Sequence, residues 1–276
     1  MKTVLRLASV MGLTLLASMP VTLSGQVAGD PNHEWCDSDY RGNRDQERFC
    51  EVREFTLRAG GGVITVDGGP NGGIDVQGWD RSEIHILAKV QAWDRRGGEP
   101  EVIVRDIVVE TGSVIRADGP RMRGSWNPGW SVSYRLMVPN RSSLDLETVN
   151  GGIDITDVYG SIDFRAVNGG IDLVGVGGDV RGRTTNGGID VDLEGAQWDG
   201  AGLDVETTNG GVVLSVPRDF RANLTTGTVN GGLNIDFPIT IQGRINRRRI
   251  TTELNGGGPT IRAVTTNGGV TVRRRG

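Results

Sequence analysis

Five aspartates sit just after strand-like turns in this chain: Asp75, Asp154, Asp163, Asp172 and Asp190. A column of such carboxylates could hold calcium, which takes about six to eight oxygens in one site. Calcium-binding β-rolls use Gly-Gly-x-Gly-x-Asp in successive nonapeptides. Here the second Gly of that pattern and the nine-residue run are both missing. The plainer reading is a solvated face that keeps a sheet soluble and discourages edge pairing. The two histidines, His33 and His85, belong to no zinc-protease or nucleophile motif. His85 alternates with Ile84 and Ile86 and reads as a polar residue on a strand face. Glycoside hydrolysis uses two carboxylates across one cleft, and no spacing in the sequence pairs two of them. The chain therefore asks for no cofactor and no metal, and we read it as a non-enzyme.

Binding chemistry has more to offer. Trp126-Asn127-Pro128-Gly129-Trp130 reads as a turn, with Arg121 and Arg123 beside it. Exposed indoles stack on sugars or anchor a protein partner. The alternative is that these rings pack over an open end of the fold. Trp79, Trp93 and Trp198 read as similar corner plugs. Two arginine runs, Arg247-Arg248-Arg249 and Arg273-Arg274-Arg275, could meet anionic lipid heads. At the end of a repeat stack such charge would instead block end-to-end association. The formal net charge of −4 and the lack of aromatic interleaving argue against a nucleic-acid partner. An envelope glycan or a surface protein is the expected partner.

The elements that would position these groups are set by a repeat. Asn-Gly-Gly begins at Asn71, Asn150, Asn168, Asn186, Asn209, Asn230 and Asn267, with a variant at Asn255. Most copies lead into an apolar-polar-apolar triplet such as Ile153-Asp154-Ile155, whose period of two sends both apolar side chains to one side. The steps from Asn150 to Asn168 and from Asn168 to Asn186 are each 18 residues, and later ones lengthen to 23, 21 and 25. A half-repeat, Gly160-Ser161-Ile162-Asp163-Phe164, gives each rung two short strands and two corners. Asn-Gly is also a hairpin signal, so an antiparallel meander competes. One meander strand would then have to fill the whole gap between corners, against a usual strand of about 5–6 residues. A parallel β-solenoid accounts for the equal steps directly. Gly-Gly would make the sharp corner through its tolerance of positive φ, and stacked Asn amides would bond along the stack. Before the regular copies, alternation marks strands around Phe55, Val63–Val66, Ile84–Ala88, Val102–Val109 and Ser131–Val138. No amphipathic helix is expected after the first residues.

The N-terminus reads as a secretory signal: Lys2 and Arg6, then a mostly apolar Val10–Ala17, then small residues to Ala28. The apolar run is too short to span a membrane, which needs about 20 residues. In an exported compartment Cys36 and Cys50 read as one disulfide, worth roughly 3 kcal/mol in the loop-entropy model. Metal ligation is the rival, with His33 the only imidazole nearby. The expected organisation is a signal peptide over 1–28, a disulfide-stapled cap over 29–51 and an all-β solenoid over 52–276. Within the solenoid, 52–143 is irregular and 144–276 regular.

The series Thr-Val-Asn-Gly-Gly-Ile-Asp-Ile, Ala-Val-Asn-Gly-Gly-Ile-Asp-Leu and Thr-Thr-Asn-Gly-Gly-Ile-Asp-Val resembles the bacterial putative-adhesin family DUF4097. Cys50-Glu51-Val52-Arg53-Glu54 and Gly78-Trp79-Asp80 are similar to its members as well. The resemblance spans about Cys36 to Val272. It implies an exported, bacterial, β-solenoid-like protein, and it brings no catalytic residue with it. The function expected from sequence is a non-catalytic envelope protein that binds through a long sheet face. A carbohydrate-active enzyme on a β-helix and a structural assembly module are the alternatives.

Overall fold

The computed structural model describes residues 28–37, 46–121, 128–237 and 248–275. The expected signal peptide, apart from Ala28, lies outside them. The described residues form two ten-stranded sheets. Sheet I holds the strands that lead into the Asn-Gly-Gly corners, and sheet II those that leave them. In the Asn168 rung these are Tyr159–Asn168 and Ile171–Val174. Neighbouring rungs are parallel and in register, with Ile153, Ile171 and Ile189 side by side and Ile162 beside Leu144 and Val180.

Alternation within each strand builds the core between the sheets. Ile153, Ile155, Ile171, Leu173, Ile189 and Val191 point inward from sheet II and are buried. Leu144, Leu146, Ile162, Phe164, Leu203 and Val205 meet them from sheet I. Each such side chain is worth roughly 1.5–3 kcal/mol when removed from water, before chain entropy is subtracted. Volume is matched between rungs. Gly182 occupies an inward position beside Phe164, and a Cβ there would fall 2.0 Å from the ring.

The corners hold the rungs in step. Asn150 Nδ2 donates to Asn71 Oδ1 at 3.1 Å. The same bond runs from Asn168 to Asn150, Asn186 to Asn168 and Asn209 to Asn186 at 2.7–2.8 Å. Inside the corner a threonine two residues before the Asn does a second job. Thr184, Thr207, Thr265 and Thr228 donate their hydroxyls to the first glycine carbonyl of the adjacent rung at 2.7–2.8 Å. Buried hydroxyls are thereby satisfied, which avoids the cost of an unpaired polar group. In the Asn168 rung this position is Ala166, buried and without a hydroxyl.

The corner glycines are needed for a reason other than the expected one. Among the seven stacked corner pairs only Gly268 has a positive φ, at 154°, while both glycines of the Asn255 variant do, at 90° and 78°. At the first glycine the backbone of the next rung stands where a side chain would begin. A Cβ at Gly169 would lie 1.8 Å from Gly151 O, and one at Gly187 or Gly210 2.0 Å from the carbonyl beneath. The second glycine is roomier: a Cβ at Gly170 would be 3.8 Å from Gly188 O, ordinary contact.

Three features depart from a simple parallel stack. First, three of the four sheet ends are antiparallel, with Gln46–Arg58, Glu83–Arg95 and Gly129–Pro139 closing one end of sheet II. Val108–Thr111 pairs antiparallel with Ile115–Asp118, and Arg249–Leu254 with Ala222–Asn230, in sheet I. Second, rung order is not chain order. The last rung, Thr260–Asn267 with Val270–Arg275, lies between the Asn209 and Asn230 rungs. The amide ladder follows that path, from Asn230 to Asn267 to Asn209, at 2.8 Å each. At the other end Ile115–Asp118 and Gly129–Pro139 sit beside the earlier Val63–Asp67 and Ile74–Trp79. Third, Pro100–Arg105 is a short helix where a strand was expected around Val102. Pro100 suits a first helical turn. The buried Arg53 guanidinium then satisfies the end of that segment by donating to Val104 O (2.8 Å) and Ile107 O (2.5 Å). Tertiary contacts thus outweigh the strand preference of Val102, Ile103 and Val104.

The Cys36–Cys50 disulfide is formed, with Cα atoms 5.8 Å apart. It ties a one-turn helix, Glu34–Asp37, to the edge strand, which Asp30 also pairs at Val52. Trp35 from this cap lies against Arg135 (4.5 Å to the ring centroid) and Lys89 (5.4 Å).

The glycine geometry makes a sharp prediction. Gly169→Ala should cost at least about 3 kcal/mol, because two backbones must part. Gly170→Ala should change stability by less than about 1 kcal/mol. Thermal denaturation followed by circular dichroism checks both; equal shifts would contradict the close-approach argument. Ala166→Thr should gain about 1 kcal/mol by supplying the missing hydroxyl bond to Gly151 O, and an unchanged or lowered melting temperature would refute it.

Candidate functional site

Three surfaces carry chemistry. The first is the outer face of sheet II, where Asp75, Asp154, Asp172 and Asp190 stand in one register column. Asp163 is absent from it, because it belongs to the half-repeat strand in sheet I. The column ends at Arg135, whose Nε lies 3.1 Å from Asp75. Loss of hydration within the column, then the charge of Asp172 and a hydrogen bond with it, push Asp154 up to about 6. Asp190 is raised in the same direction, by loss of hydration and by Asp172. Among the described residues no group of three or more His, Cys, Asp or Glu side chains is arranged to hold a metal ion.

The second is the outer face of sheet I. A shallow groove of about 460 Å³ runs past Arg165, Arg181, Arg183, Asp204, Glu206 and Arg262. Arg262 binds Asp204 and also Glu206, the latter at 3.2 Å. Arg181 is held by Asp179 at 2.9 Å. Arg165 and Arg183 are exposed, lie side by side in register, and form no ion pair among the described residues. Like charges directly opposite in a sheet are destabilising.

The third lies at the end of the amide ladder. A cavity of about 430 Å³ is walled by Trp93, Trp130, Pro128, Asp67, Asn71 and Ser131, with neighbouring backbone. Both indoles are fixed by glycines: a Cβ at Gly129 would be 2.4 Å from Trp93, and one at Gly119 2.9 Å from Trp130. Trp130 Nε1 also donates to Pro120 O at 3.0 Å.

Of the residues expected to bind, Trp130 lines this cavity, and Arg121 is exposed outside its wall. Trp126 and Arg123 lie outside the described residues. Trp93, expected as a corner plug, is a cavity wall, which only its cross-strand pairing with Gly129 reveals. Trp198 does plug a corner: it is buried and donates to Gly178 O at 2.9 Å. The His85 Nε2 and Glu54 Oε1 atoms form a short hydrogen bond of 2.6 Å, with the carboxylate accepting, and the imidazole stacks near Trp79. The C-terminal arginines pair on one side with Ser215, Val216 and Pro217, beyond the reach of Leu233–Ile235, which flanks only residues 270–272. Arg273 bonds Ser215 at 2.9 Å, and Arg275 bridges Asp192 (2.5 Å) and Glu194 (3.7 Å). Of the other run, Arg247 lies outside the described residues, while Arg249 pairs opposite Gly227.

The aspartate column sets a pH dependence. A carboxyl whose pKa is higher folded than unfolded binds protons more tightly in the folded state. Stability is therefore lowest above pH 6 and rises as pH falls through about 6 towards 4. Asp154 remains open to water, so screening limits the gain to the order of 1 kcal/mol. Asp154→Asn should melt higher than the parent at pH 7, with the difference closing by pH 4.5 or so. A constant difference across that range would contradict the assignment.

No curated protein matches the sequence. Three solved structures are similar in outline. A putative cell adhesion protein from Clostridium sporogenes aligns at 8% identity and TM-score 0.44, over 82% of this chain and 100% of its own. A putative adhesin from Bacteroides fragilis aligns at 10% identity and TM-score 0.35, over 84% and 98%. A putative lipid binding protein from Parabacteroides distasonis aligns at 10% identity and TM-score 0.32, over 84% and 98%. No helix among the described residues is long and apolar enough to cross a membrane. The family model described as Toastrack DUF4097 matches residues 139–273, the part of the stack that runs from the end of Gly129–Pro139 to the inserted last strand. Residues 139–273 are thus similar to the toastrack domain of that family.

Proposed function

We propose that this is a non-catalytic, exported envelope protein that binds a surface through the outer face of sheet I. The observation that carries this reading is the in-register pair Arg165 and Arg183, flanked in their column by Glu147 and Glu206 yet forming no ion pair among the described residues. Their mutual repulsion is relieved when a partner supplies anionic groups, and guanidinium forks suit carboxylate or phosphate geometry. Rungs about 4.8 Å apart repeat the outward positions along the stack, so a long partner can make many weak contacts. Buried on its inner side and charged on its outer side, the sheet offers a rigid platform. The face, rather than any enclosed set of catalytic groups, is the functional unit.

Co-sedimentation of the purified protein with isolated bacterial envelope tests this. Saturable binding should weaken at least about tenfold in the Arg165→Ser, Arg183→Ser variant, equivalent to 1.4 kcal/mol, and fall with added salt. Undiminished binding by the folded double variant would remove sheet I as the binding face. Release of new reducing ends from envelope glycan would overturn the non-catalytic reading.

A further inference from the structure

The chain holds eight Asn-Gly pairs, the seven stacked corners and the variant at Asn255. Asn-Gly is the dipeptide most open to spontaneous deamidation, because glycine puts no side chain beside the attacking backbone nitrogen. The reaction needs that nitrogen accessible and able to lose its proton. It also needs the asparagine side chain free to fold back onto it. The stack withholds this freedom from most copies. Asn150, Asn168, Asn186, Asn209 and Asn267 each donate one ladder bond and accept another. Gly187, Gly210 and Gly268 also give their N–H to the Asn carbonyl of the adjacent rung, at 3.0–3.1 Å.

Rung order leaves the Asn230 rung outermost, and its corner differs. Asn230 Nδ2 donates to Asn267 Oδ1 at 2.8 Å, but its own Oδ1 accepts nothing among the described residues. Gly231 N makes no hydrogen bond among them either. Of the seven first glycines only Gly231 is exposed. A Cβ at Gly232 would meet no atom within 4 Å, whereas one at each of the other six second glycines would lie 3.4–3.8 Å from the next rung's carbonyl. Leu233–Ile235 is an edge of sheet II and pairs with Val270–Arg275 alone. In sheet I the pairing of Ala222–Asn230 with Arg249–Leu254 stops at Gly227, with one further bond from Thr228 N to Arg248 O at 2.8 Å. A segment held from one side opens at lower free energy than one held from both.

Two other corners are closed in their own ways. Gly72, after Asn71, is buried, and a Cβ on it would fall 2.0 Å from Val132 O and 2.5 Å from Gly68 O. Asn255 has its Nδ2 tied to Arg218 O at 3.0 Å and to Phe220 O at 2.9 Å.

We propose that Asn230 is a site of spontaneous deamidation, and that the carboxylate formed there frees the outermost rung. Gly231 N attacks Cγ of Asn230 and gives up its proton. The Cγ–Nδ2 bond breaks, and Nδ2 leaves as ammonia with that proton. Water then opens the cyclic imide at either carbonyl, giving aspartate or isoaspartate. Both products replace the donor to Asn267 Oδ1 by oxygens that, once ionised, only accept. Isoaspartate also adds one carbon to the main chain at the corner, which moves Leu233 out of step with Val270. This chemistry uses neither Arg165 nor Arg183 and is independent of envelope binding.

Peptide mapping by mass spectrometry tests it, on purified protein aged in mildly alkaline buffer at physiological temperature. In the folded protein Asn230 should convert at least about tenfold faster than Asn168, Asn186 or Asn209, the rate equivalent of roughly one hydrogen bond. In denaturant the rates of all the Asn-Gly pairs should converge. Asn230→Asp, which reproduces the straight-chain product, should speed amide hydrogen exchange over residues 228–235 and leave residues 168–191 unchanged. Four results overturn the proposal: no conversion at Asn230, another Asn-Gly pair leading in the folded protein, an equal lead for Asn230 in denaturant, or unaltered exchange over residues 228–235 in Asn230→Asp.

Discussion

The whole molecule depends on one close approach. At each corner the first glycine lies so near the preceding rung that its missing Cβ position falls about 2 Å from a carbonyl oxygen, as at Gly169, Gly187 and Gly210. That contact lets the Asn amides above and below reach each other at 2.7–2.8 Å and brings each threonine hydroxyl onto a glycine carbonyl. The corner is thus closed by three features that work only together: a glycine for space, an amide outside and a hydroxyl inside. Remove the space and both hydrogen-bond columns lose their register.

Once the corners are fixed, the strands follow with little choice. A period of two places Ile171 and Leu173 in the core and Asp172 outside, and the parallel register repeats that placement in the rungs beside it. The same regularity has a cost. Identical outward residues are stacked on one another, so four aspartates crowd one column and two arginines face each other in another. The fold tolerates this because the groups remain in contact with water, and because Arg135 terminates the acidic column. Repetition in the core and repulsion on the surface have one origin. In our reading, that repulsion is what makes the arginine pair available to a partner.

The irregular ends solve a different problem. A stack of rungs leaves open sheet edges and an open core at each end. Here the N-terminal end is closed by long antiparallel strands, by the helix Pro100–Arg105 docked through Arg53, and by the disulfide-tied cap. This closure breaks the repeat, and the break leaves the cavity beneath Asn71. The junction of regular and irregular structure is therefore also where the amide ladder ends, at Asn71.

Much of this was written in the sequence. The Asn-Gly-Gly copies, the inward Ile and Leu, the disulfide and the stacking amides could all be read from residue types and spacing, because each is a local rule repeated. The threonine hydroxyls had a signal too, Thr-x-Asn-Gly-Gly, visible before Asn150, Asn186, Asn209, Asn230 and Asn267. What the sequence could not order was the rungs themselves. Every copy offers the same amide, glycine and hydroxyl, so any rung can dock on any other in register. The short strand Leu233–Ile235 lies at an edge, while Val270–Arg275 pairs along its whole length with Val212–Pro217 and over its first three residues with Leu233–Ile235, anchored by Arg273 and Arg275. That choice rests on long-range pairing, including the contacts of Arg273 with Ser215 and of Arg275 with Asp192 and Glu194. Local pattern determined what a rung is. Only long-range packing decided where the last one goes and why the first glycine of each corner must be glycine.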